Sequence, residues 1–104
     1  MYVFVRTNNP RPTFHLDMTS DERAAMQRHV AYWSEKAAQD IAVVFGPVAD
    51  PKGVWGIGVY RVDDIAQMQR MLDADPARHI LNYEVFEMPR GVIGSGAPGV
   101  HPWP

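Results

Sequence analysis

The stretch "AAMQRHVAYW", Ala24 to Trp33, carries an ionisable ring inside an apolar pattern. Met26, Val30, Trp33 and Ala37 recur at steps of four, three and four, the spacing of one helix face. His29 falls on the same stripe, three after Met26 and four before Trp33. An imidazole there either satisfies itself on backbone and solvent or works as a proton acceptor and donor. A carboxylate far along the chain bears on the choice. Asp73 and Asp75 close a second helical segment, where a negative charge opposes the helix dipole. An acid retained there is either solvated or held by a cation. Pro76 keeps Asp75 out of right-handed helical backbone and so fixes the direction of its side chain. Paired with Asp75, His29 would be held in one tautomer, the arrangement of a general base.

Other residues rank below this pair. Trp33, one turn from His29, either walls an aromatic ligand or fills the core. Arg6 ends a first strand, where it either meets a ligand carboxylate or phenolate or stands as an edge charge. His15 precedes the first long helix, the place of a lid over a pocket. Gly56 and Gly58 share one strand face and leave room for a ligand or for close helix packing. Their "GIG" is no dinucleotide fingerprint, because it lies inside a strand rather than at a strand-to-helix turn. His79 and His101 have no visible partner. Four scattered histidines without ligand spacing argue against a metal site, and no cofactor is expected.

These residues need elements to position them. "YVFVR", Tyr2 to Arg6, is β-branched and aromatic and predicts a strand. "TNNPRPTFHLDM" reads as a polar loop. Thr19 followed by Glu22 is a capping box, predicting a helix from there to about Gln39. "IAVVFGPV" is a second strand, and "ADPKG" supplies the turn to a third, "VWGIGVY". Asp63 or Asp64 caps a second helix with the stripe Ile65, Met68, Met71 and Leu72, ended by Pro76. "ILNYEVFEM" is the last strand. The order β-α-β-β-α-β predicts an α+β, ferredoxin-like fold: a four-stranded antiparallel sheet with two helices on one face.

The chain has 104 residues, 46% hydrophobic and 21% charged, the profile of one globular domain. A formal charge of -2 offers no drive toward nucleic acid or an anionic membrane. No apolar run approaches the roughly 18 residues of a membrane span. "MYVFVRTNNP" lacks the features of a secretory signal, so a cytoplasmic location is expected. The absence of cysteine excludes disulfides, thiol catalysis and zinc-thiolate sites. Residues 1–90 form the predicted domain. The tail after it is rich in glycine and proline, and is expected to be disordered or to lie on a partner.

Strands with one wet face alternate apolar and polar residues. Here Tyr2 and Phe4 alternate with Val3 and Val5, and Ile41, Val43 and Phe45 alternate with Ala42 and Val44. Both sheet faces are apolar, yet two helices cover only one. A second copy packed sheet to sheet is the expected cover, giving a homodimer. The tail folded across that face is the competing arrangement.

"FGPVADPKGVWG" followed by "LDADP" resembles the YCII-related (YciI-like) family of the dimeric α/β-barrel superfamily. Gly46, Pro47, Asp50, Gly53, Gly56, Asp75, Pro76 and His29 stand at the matching places, and the resemblance covers about residues 1–90. It implies a His29–Asp75 catalytic dyad in a pocket between helices and sheet; beside that dyad, Trp33, Arg6, His15, Gly46, Pro47 and Gly56 are the expected ligand contacts. It also implies cofactor-free proton transfer on a small cyclic or aromatic molecule, by elimination (as in dehydrochlorination) or isomerisation. A binding module without turnover uses the same pocket. There are departures: Ala77 stands where an aromatic is usual after Asp-Pro, and "ARHIL" lacks a glycine before the last strand. Both are expected to reshape the pocket.

Overall fold

A computed structural model describes residues 1–94. The predicted tail therefore lies mostly outside the described residues. Strands β1 (Tyr2–Asn8), β2 (Ala42–Val48), β3 (Trp55–Arg61) and β4 (Asn82–Met88) form one sheet. Three helices join them: α1 (Phe14–Asp17), α2 (Ser20–Ala38) and α3 (Ile65–Asp73). The sheet order is β2-β3-β1-β4, with every pairing antiparallel. This is the ferredoxin-like arrangement that the element order predicts. The added element is α1, a single turn inside the loop read as irregular.

Local chemistry explains the boundaries. Thr19 caps α2, its side chain accepting from the Glu22 N–H while the Glu22 carboxylate accepts from the Thr19 N–H. Asp64, not Asp63, caps α3 by accepting from the Gln67 N–H. Arg11 then ties down the loop before α2. Its guanidinium donates two hydrogen bonds to the Glu22 carboxylate and further bonds to Asp17. Phe14, fully buried, lies under the same guanidinium. One arginine thereby holds α1 against the start of α2.

The core lies between the helices and one sheet face. Val3, Val5 and Tyr60 point there from the sheet and meet Trp33, Met68, Met71 and Leu72. The face of α2 differs from the predicted stripe. Ala25 and Trp33 are buried, whereas Val30 and Ala37 are exposed. The helix is rotated so that Ala25 packs on Ala77 and Leu81, beyond α3. That close contact needs small residues on both sides. Ala77, expected to reshape the pocket, is instead wholly buried in this contact and is not part of the cavity wall.

In β2 a bulge between Ala42 and Val44 breaks the simple alternation, so Ala42 and Phe45 both face the helices. The opposite sheet face bears Tyr2, Phe4, Val44 and Phe86, with Val44 and Phe86 about half exposed. Phe4 and Phe86 pair there across the strands, ring centroids 6.1 Å apart. No helix among the described residues is long and apolar enough to cross a membrane.

Two substitutions separate core from cap. Met68→Ala removes a fully buried side chain and is expected to cost about 2–5 kcal/mol. Thr19→Ala removes only the cap and is expected to cost about 1 kcal/mol. Urea denaturation of both variants measures the difference.

Candidate active site

The site is built around Asp75. Helix α3 stops at Asp73, Ala74 caps it, and Asp75 opens the next turn. Pro76 follows at the turn position that suits its fixed backbone angle. The Asp75 Oδ1 accepts from the Ala77 N–H at 2.8 Å, closing an Asx turn. That bond locks the carboxylate and directs Oδ2 inward. His29 Nδ1 lies 2.7 Å from Oδ2, and Trp33 donates its Nε1–H to the same oxygen at 2.7 Å. The Tyr83 hydroxyl donates to it as well. His29 and Trp33 are four apart on α2, so both reach one atom from one helix face. Tyr83 arrives from β4, on the strand face shared with Val85.

The Asp75 side chain is completely buried. Burial pushes its carboxyl up, but the bonds from His29, Tyr83, Ala77 and Trp33 outweigh burial and hold it down at about 2. The group is a carboxylate at any ordinary pH. An ionised carboxylate only accepts, so the proton between the two side chains sits on His29 Nδ1. In the neutral form of the ring this leaves the lone pair on Nε2, which has no partner among the described residues. Tyr83, pushed well above the usual phenol range by burial and by its bond to Asp75, stays protonated as a donor.

His29 lines an apolar cavity of about 240 Å³ between α2, α1 and the sheet. This is below the roughly 300–1,000 Å³ of sites for drug-sized molecules, so it suits a small ligand. Trp33, Phe45, Pro47 and Tyr60 form much of the wall, with Gly46 and Gly56. His15 on α1 lies at its edge with Met18. Of the predicted contacts, the structure brings His29, Trp33, His15, Gly46, Pro47 and Gly56 around this space. Asp75 stands behind His29 and does not line it.

Arg6 is a correction. Strand alternation sends Val5 and Thr7 toward the helices and Arg6 to the opposite face. There its guanidinium stacks 4.1 Å from the Trp55 ring centroid and pairs with Asn8 and Glu84. It does not line the cavity. The space over Gly56 also has a packing cause, since a Cβ there would come within 3.3 Å of the Thr7 Cβ.

Tyr83 and Tyr60 went unread in the sequence. A signal existed for each. Tyr83 alternates in phase with Val85, which places a hydroxyl on the apolar face of β4. Gly58 lies two before Tyr60, so the glycine clears strand surface for the ring. Among the described residues, no group of three or more histidine, aspartate or glutamate side chains is placed to hold a metal ion.

A ferredoxin-like α+β domain with a buried His–Asp contact behind an apolar cavity is the class that fold and site define. The YCII-related domain model matches residues 1–89, and the chain belongs to that family. No curated protein sequence matches it. Among solved structures it is similar to 5-chloro-2-hydroxyhydroquinone dehydrochlorinase from Burkholderia phenoliruptrix, in complex with 2,5-dihydroxybenzoquinone. Identity is 11%, coverage 86% of this chain and 95% of that one, and the TM-score 0.54. It is also similar to a cofactor-independent oxygenase from Streptomyces nogalater, at 14% identity, 88% and 95% coverage and a TM-score of 0.48.

The carboxylate predicts a pH dependence. The Asp75 value in the folded protein lies below that of a free carboxyl. Its stabilising contribution is therefore complete above about pH 4 and is lost as pH falls toward about 2. The loss from this group is about 2 kcal/mol. Asp75→Asn should unfold more easily at pH 7 and lack that part of the acid slope. Urea titrations of both proteins at stepped pH check it.

Proposed function

We propose that the protein is a small cofactor-free enzyme in which His29 moves a proton and Asp75 orients and supports it. The observation that carries this reading is the His29 ring, bonded through Nδ1 to a buried carboxylate and lining an apolar cavity. Geometry of this kind leaves Nε2 as the base and gives the imidazolium an anion to rest on. The apolar wall and small volume favour a cyclic or aromatic substrate. The reaction that fits is an elimination. Nε2 takes a proton from a ring hydroxyl or carbon. Taken from a hydroxyl, that proton is returned to the chlorine-bearing carbon, which becomes tetrahedral as the hydroxyl oxygen becomes a carbonyl. Loss of a proton from a second ring hydroxyl then drives chloride out with the pair of the C–Cl bond, leaving a quinone for a net loss of HCl. Isomerisation uses the same first step and returns the proton to another carbon.

Family membership supports the fold of this reading, and the dehydrochlorinase suggests the first substrate to try. Chloride release from 5-chloro-2-hydroxyhydroquinone is expected for the wild-type protein. His29→Ala and Asp75→Asn should each reduce it by at least about 100-fold, the low end for acid–base catalysis. Saturable binding of 2,5-dihydroxybenzoquinone with no turnover of chlorinated or lactone substrates would make the protein a binding module instead.

The working form in this proposal is a homodimer joined through the open sheet face, and the location is cytoplasmic. Half-exposed Val44 and Phe86, with the Phe4–Phe86 pair, make an apolar surface that water covers poorly. Sedimentation at micromolar concentration should give twice the chain mass of 11.7 kDa. Phe86→Glu should return the single-chain mass with the fold intact.

A further inference from the structure

Tyr60 is the one buried phenol of the site without a task. Its backbone lies in β3 opposite Val3 and Ala42. Its ring does not stand up from the sheet at that point. It leans back along the strand over Gly58, so closely that a Cβ built on Gly58 would collide with the Tyr60 hydroxyl and Cζ. Trp33 packs on the other side, ring centroids 4.6 Å apart. The ring is thus clamped between a helix and a bare strand, with its hydroxyl end directed toward the Gly56 end of β3.

That hydroxyl has a peculiar balance. Tyr60 is only 4% exposed. Its hydroxyl makes no hydrogen bond among the described residues, unlike Tyr32, which donates to the Met71 carbonyl, and Tyr83, which donates to Asp75. Yet no wholly enclosed side-chain oxygen or nitrogen there lacks a partner. The small accessible surface of Tyr60 must therefore include its oxygen, and the space beside it is the cavity that Tyr60 lines. A polar group kept at the wall of an apolar cavity costs solvation unless something bonds to it.

We propose that the Tyr60 hydroxyl is the specificity-determining donor of this site, bonding an oxygen of the ligand while His29 faces the atom that gives up its proton. This rests on the function proposed above and narrows the substrate class. The ligand is a small planar ring bearing a carbonyl or phenolate oxygen, so hydrocarbons and plain halogenated rings are poor ligands. Burial, reinforced by the negative charge of Asp75 and by Tyr32, pushes the Tyr60 phenol well above its usual range. It stays a neutral donor across the working pH range and suits an anionic or carbonyl oxygen. Gly58 is part of the device, because any side chain there displaces the ring.

The experiment is a binding comparison on the full chain. Two probes are used: 2,5-dihydroxybenzoquinone by calorimetry, and toluene, which has no oxygen, by ligand-observed NMR. Tyr60→Phe should bind the quinone about 10-fold more weakly, the worth of one lost hydrogen bond. Its toluene binding and melting temperature should not change, since no protein partner is lost. Gly58→Ala, which keeps the hydroxyl but moves it, should also weaken quinone binding. If Tyr60→Phe binds the quinone as tightly as wild type while His29→Ala binds it less tightly, the role of Tyr60 is overturned and the proposed function stands. A clear fall in the melting temperature of Tyr60→Phe would also overturn it, by revealing a structural partner. If the wild-type protein binds neither probe, the proposed function falls and this inference falls with it.

Discussion

The structure depends on one buried negative charge. A carboxylate taken out of water is costly unless donors replace the lost hydration. Asp75 collects four: two from α2, one from β4 and one from its own turn. The same atoms that offset desolvation also join three separate parts of the chain. The end of α3 is held to α2 through His29 and Trp33, and to the sheet through Tyr83. Removing the charge would leave three side-chain donors aimed at a poorer acceptor, inside a region that water does not reach. Position and orientation of the His29 ring are therefore consequences of folding, settled before any ligand arrives.

Around that centre the packing is graded by residue size. Where α2 must come close to the turn beyond α3, both sides are alanine, Ala25 and Ala77. Where the helix stands off, Trp33 and Tyr60 fill the gap, and Tyr32 meets Trp33 edge-on at 5.0 Å. The cavity opens beside them, lined also by Phe45, Pro47, Trp55 and Gly56. Changing Ala25 or Ala77 to a larger residue would tilt α2 and alter the cavity from a distance.

Much of this was legible in the residues themselves. The capping box at Thr19 and Glu22, the turn at "ADPKG" and the stop at Pro76 act within a few residues, so spacing alone reveals them. His29 and Asp75 were also legible, one as a polar intruder in an apolar stripe, the other as an acid at the wrong helix end. What failed was rotation and side. The α2 stripe through Val30 and Ala37 was as apolar as the true face, and only the contact with Ala77 and Leu81, some 50 residues away, selects Ala25. Arg6 was misplaced because a strand end has two faces and the sequence does not say which one carries a site. The bulge in β2 has no marker among four consecutive apolar residues.

The order of the sheet leaves β2 and β4 as its rims. A rim with free backbone groups is a template for another strand, the first step toward open-ended assembly. Here β2 is interrupted by its bulge and carries Pro47, which has no N–H to offer, while β4 bears Glu84 and Glu87. Growth by adding strands is blocked at both sides. An association through the apolar face alone would then be stacking, a geometry that can close after one partner instead of propagating into fibres.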